Sequence, residues 1–126
     1  MSVSGKFRHA SRLLRHADFQ RVYKQGRRHF GTHMTIFYQG NEQVGSGPRI
    51  GFTVGRALGG AVERNRIKRR LREAVRTNLQ ALTVPVDVVI NPKKSALAAE
   101  FAVLRNEVAR AFAVIEEKET KSNPAT

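Results

Sequence analysis

The chain has 126 residues, enough for one compact domain with a real core and too few for two. Its 23 Lys and Arg against 10 Asp and Glu leave a formal charge of +13, while 40% apolar residues set it apart from a disordered basic tail. With no cysteine, disulfides, thiolate nucleophiles and cysteine-bound zinc are excluded, and no apolar run approaches the length of a membrane span.

The N-terminus lacks a hydrophobic signal segment, so a cytoplasmic location and no membrane partner are expected. Residues 1–31 imitate a transit peptide in being rich in Arg and Ser, but Phe19 to Tyr23 read as part of the folded domain. Phe19, Val22 and Tyr23 stand at helical spacing before Gly26, predicting a first helix from His16 to Gln25. A short strand around Arg28–Phe30 follows, then two alternating segments, Thr32–Tyr38 and Arg49–Gly55. The Gly-rich stretch between them predicts that these two strands are antiparallel neighbours. Met34, Ile36, Ile50, Phe52 and Val54 would face helices behind the sheet, leaving Thr35, Phe37, Gly51, Thr53 and Gly55 on its other side.

A second helix is expected from Ala61 to Leu82, with Ile67, Leu71, Ala74, Val75, Leu79 and Leu82 in one apolar stripe. Val86–Ile90 reads as a buried strand, Asn91–Ser95 as a loop, and Leu97 to Ile115 as a third helix. The expected fold is therefore α+β, an α-β-β-β-α-β-α sandwich of helices on a small four-stranded sheet. Residues 1–118 form the domain, and 119–126 a flexible polar tail.

The charge is partitioned. Residues 1–31 hold eight basic groups and one acid, and 64–76 hold seven and one, whereas 99–126 carry four basic groups and five acids. On a helical wheel Asn65, Arg69 and Arg76 lie opposite the apolar stripe, with Arg66 and Arg72 flanking them. Lys68 falls at the boundary of the stripe and Arg70 further round. Arg64 falls on the apolar side and is expected to project past the sheet edge. Arg outnumbers Lys six to one in this segment, which suits bidentate recognition of phosphate. A solvated helix face is the ordinary alternative, but few acids are available to pair with it. Phe19 and Tyr23 either pack in the core or, flanked by Arg15, Arg21 and Lys24, offer rings on which unpaired bases stack. The histidines and serines form no acid–base, nucleophile or metal pattern, and the glycines spell no phosphate loop. No catalytic residue is expected in the chain.

The run from Val54 to Arg76, with Arg64-Asn65-Arg66, Lys68-Arg69 and Arg72-Glu73 in order, resembles the bacterial ribonuclease P protein subunit. Arg12-Leu13, Asp18-Phe19, Tyr23, Gly26 and the strand from Asp87 extend the resemblance over nearly the whole domain. Ala57 stands where the family has a second basic residue, and Gly60 where it often has Asn. The resemblance implies a partnership with a catalytic RNA that removes the 5′ leader of precursor tRNA. It also implies magnesium held with that RNA, no cofactor in the protein, and no required protein partner. It assigns Arg56, Arg64, Asn65, Arg66, Lys68, Arg69 and Arg72 to the RNA subunit, and Arg12, Phe19, Tyr23, Thr35 and Phe37 to the leader. It further implies a left-handed crossover through the second helix, against the general rule. A ribosomal-type RNA-binding protein, a DNA-binding helix protein and a stand-alone nuclease are the competing readings.

Overall fold

The computed structural model describes residues 16–41 and 47–122. Along the chain run α1 (His16–Gln25), β1 (Arg27–Phe30), β2 (Met34–Gly40), β3 (Arg49–Phe52), α2 (Ala61–Arg76), β4 (Val86–Pro92) and α3 (Phe101–Ser122). Turns of 3₁₀ helix occupy Arg56–Leu58, Leu79–Ala81 and Lys94–Leu97. The element order is the expected one.

The strands lie in the order β1-β2-β4-β3, with β4 antiparallel to β2 and parallel to β3. The anticipated pairing of β2 with β3 is thus incorrect: β4 lies between them. Val86 to Ile90 are all buried, so this strand needs cover on both faces and partners on both edges. β1, whose residues are mostly exposed, takes the outside position.

One face of the sheet carries the main core. Met34, Ile36, Tyr38, Ile50, Val88 and Ile90 pack there against Ile67, Leu71 and Val75 of α2 and Leu104, Val108 and Phe112 of α3. Phe52 and Val54 join them, as the alternation predicts. α1 lies on the opposite face over β2 and β4, with Val22 fully buried beneath it. Gly26 ends α1 where a Cβ would come within 2.6 Å of the Tyr38 carbonyl oxygen, so the chain crosses β2 closely only without a side chain.

α2 stops at Arg76, not Leu82. Thr77 Oγ1 and Asn78 Nδ2 donate to the Ala74 carbonyl at 3.0 and 2.9 Å, and Asn78 also reaches the Arg105 carbonyl at 3.0 Å. These side chains take up the Ala74 carbonyl, to which the Asn78 amide would donate in a continuing helix; that amide donates to the Val75 carbonyl instead. Leu79 and Leu82 still reach the core, carried there by the 3₁₀ turn. At the other end Gly60 occupies the N-cap in extended conformation without a side-chain bond. α3 begins at Phe101, not Leu97, because the Ala98 and Ala99 amides bond back to the Ser95 carbonyl and close the preceding turn on itself. It continues to Ser122, so residues 119–122 of the expected tail are helical.

Candidate nucleic-acid interface

Two basic surfaces emerge from this arrangement. The first is the outer side of α2. Burying Ile67, Leu71, Ala74 and Val75 forces the intervening positions outward. Asn65, Arg66, Lys68, Arg69 and Arg72 are all exposed, and Asn65, Lys68, Arg69 and Arg72 line a shallow depression of about 380 Å³. Arg56 is exposed on the 3₁₀ turn packed against the start of α2. Among the described residues Lys68, Arg69 and Arg72 make no ion pair, whereas Arg76 is paired with Glu73. That pairing, first through the hydrogen bond and then through charge, holds the Glu73 carboxyl below its usual range. The crest therefore keeps free cations in its middle and a neutralised pair at its end.

Two arginines of the segment are drawn inward. Arg70 is half-buried, donates to the Ala99 carbonyl before α3, and has its Nε enclosed without a partner. Arg64, expected to project past the sheet edge, is half-buried with its Nε likewise enclosed. It stands in the first turn of α2.

The second surface lies beside α1. Tyr23 and Phe37 meet edge to face with centroids 4.9 Å apart, and the Arg28 guanidinium carbon sits 5.5 Å from the Phe37 centroid. The Tyr23 hydroxyl donates to Asn91 Oδ1 at 3.0 Å, and the Thr53 hydroxyl donates to the same oxygen. Thr35 stands opposite Asn91 in the β2–β4 register, and Phe19, half-buried one turn before Tyr23, completes the set. Phe19, Tyr23, Thr35 and Phe37 are thus brought to one side of the sheet and kept partly open to solvent. Arg12 lies outside the described residues.

Three members of this face were not anticipated as site residues. Asn91 belongs to β4, not to the following loop, and anchors Tyr23. Arg28 and Phe30 pair with Phe37 and Thr35 across β1 and β2, so all four point the same way. Counting register back from the Gly31–His33 turn would have revealed them.

α1 is held over this face by charge. Asp87, fully buried, accepts from Arg49 Nε and a terminal Arg49 nitrogen at 2.8 Å each, from Asn41 at 3.0 Å, and from Arg21 of α1. Asp18 of α1 also pairs with Arg21 at 3.1 Å. On the core side, the Glu107 carboxylate accepts the His33 amide at 2.9 Å and fixes the β1–β2 turn. Among the described residues no group of three or more His, Asp or Glu side chains comes together in a geometry that could hold a metal. No described helix is long and apolar enough to cross a membrane.

The family model described as Ribonuclease P matches residues 7–116. The ribonuclease P protein component of Acidothermus cellulolyticus is 40% identical over 99 residues, covering 79% of this chain and 82% of its own. That of Citrifermentans bemidjiense is 37% identical over 116 residues, covering 92% and 97%. Among solved structures, the RNase P protein from Thermotoga maritima superimposes with a TM-score of 0.71 at 26% identity, covering 82% of this chain and 96% of that one. The RNase P protein of Staphylococcus aureus gives 0.71 at 26% identity, covering 83% and 94%.

Proposed function

Because the chain belongs to the ribonuclease P protein family, and is thus the accessory protein of a tRNA-processing endoribonuclease that works with an RNA subunit, we propose that its two basic surfaces divide the labour. The crest of α2 holds the catalytic RNA through Arg56, Asn65, Arg66, Lys68, Arg69 and Arg72, with Arg64 at its base. The face beside α1 holds the single-stranded leader of precursor tRNA through Phe19, Tyr23, Thr35 and Phe37, joined by Arg12. The observation that carries this reading is the crest itself: exposed guanidinium and ammonium groups around one depression, whose described lining residues include no carboxylate. Such groups neutralise phosphate, and planar guanidinium does so bidentately.

Hydrolysis belongs to the RNA, and magnesium with it. Asp18 and Asp87 do not suit that ion, since Arg21 and Arg49 engage their carboxylates. The protein's part is positional. With the RNA fixed on one surface and the leader on another, substrate engagement becomes effectively intramolecular. Family membership sets aside the ribosomal and DNA-binding alternatives, and the cytoplasm is the proposed site of action.

Reconstitution tests the division. The protein by itself is expected to leave precursor tRNA intact, and addition of the RNA subunit restores cleavage. Arg66→Ala weakens the protein–RNA complex about tenfold, whereas Tyr23→Ala lowers affinity for precursor more than for leaderless tRNA. Cleavage by RNA-free protein, or equal losses on both tRNAs for Tyr23→Ala, overturns it.

A further inference from the structure

We propose that the outer strand β1 carries an additional stacking subsite, built on Phe30, for a nucleotide of the 5′ extension lying beyond the α1 cleft. This rests on the leader reading above and extends it across the sheet. Phe30 is 70% exposed on the edge strand β1, so its ring is open to a stacking partner from solvent. Its register partner is Thr35, and that of Arg28 is Phe37, so Phe30 lies on the leader face one step outward from the Tyr23–Phe37 pair.

Charge complementarity names the occupant. Arg28 precedes Phe30 by two residues on the same face, about 7 Å along the strand, with its guanidinium over Phe37. From the other side Lys93 Nζ donates to the Gly31 carbonyl at 3.3 Å, setting an ammonium beside the residue that follows Phe30. A flat apolar ring between two cations matches an unpaired base with its phosphates, and it stacks any base because every base has a π-face. An apolar protein surface would match the ring but leave both cations unanswered.

The experiment uses full-length protein assembled with the ribonuclease P RNA and precursor tRNAs whose leaders grow one nucleotide at a time. Phe30→Ala is expected to match the wild type on short leaders and to bind about tenfold more weakly once the leader reaches β1. Phe30→Tyr restores the affinity, and an abasic nucleotide at the responsive position erases the difference between Phe30→Ala and wild type. Equal affinity of Phe30→Ala and wild type at every length overturns the subsite, as does an equal loss on leaderless tRNA. A changed oligomeric state of the free Phe30→Ala protein in sedimentation overturns it in favour of a contact between copies. If instead the wild type gains nothing from any leader, the cleft reading falls and the subsite with it. A leader effect that Tyr23→Ala removes and Phe30→Ala does not removes the subsite alone.

Discussion

Asp87 shows how much one side chain can decide. Burial by itself would push its carboxyl group up, but the bonds donated by Arg49, Arg21 and Asn41 outweigh that and hold it below the usual carboxylate range. A group depressed in the native state stabilises fully above its unfolded value and loses that contribution as pH falls through the native one. The wild type is therefore expected to weaken below about pH 4 as this clamp is protonated. Asp87→Asn should lower stability at neutral pH by about 3 kcal/mol, since it takes the buried carboxylate away from two partly buried arginines, and should flatten the acid limb. Urea unfolding at a series of pH values reads both. An unchanged midpoint at pH 7 would mean that the clamp contributes nothing. In the sequence Asp87 was visible as a charge within an apolar strand. Its partners were not, because Arg21, Asn41 and Arg49 arrive from three separate parts of the chain.

At the scale of elements, α2 separates what periodicity can tell from what it cannot. The wheel placed Ile67, Leu71 and Val75 inward and Asn65 and Arg69 outward, because both follow from 3.6 residues per turn. It overran the helix end, since Leu79 and Leu82 continue the apolar stripe while Thr77 and Asn78 terminate the hydrogen bonding. It also could not show that the carbonyl receiving Arg70 comes from Ala99, 29 residues further on. Adjacent arginines thus have different duties, and substitution should separate them. Arg69→Ala is expected to leave the thermal midpoint unchanged, weaken RNA binding about tenfold and lower the salt slope of binding by about one. Arg70→Ala should do the reverse, costing about 1–2 kcal/mol of stability with a smaller effect on RNA binding. Parallel melting curves and RNA titrations check the pair. Matching phenotypes would erase the distinction.

For the molecule as a whole, helix and strand order could be read from hydrophobic patterning, but strand neighbours could not. Local turn chemistry suggested β2 beside β3, whereas the demand of β4 for cover on every side placed it between them. Charge partition was legible, and it makes the free and bound protein respond oppositely to salt. A net charge of +13 strains the free fold by self-repulsion, which added ions screen over about 10 Å at 0.1 M. The same ions weaken the RNA complex, whose formation releases counterions from phosphate. Raising potassium chloride from about 50 to about 300 mM should therefore raise the melting temperature of the free protein and lower its affinity for the RNA by orders of magnitude. A midpoint that falls instead would place the dominant electrostatic term in attractive ion pairs such as those around Asp87, which salt screens less strongly than exposed charge. Their carboxylate is fully buried and so is shielded from salt, whereas the cations of the α2 crest stand in water, so the repulsive term is the one that responds.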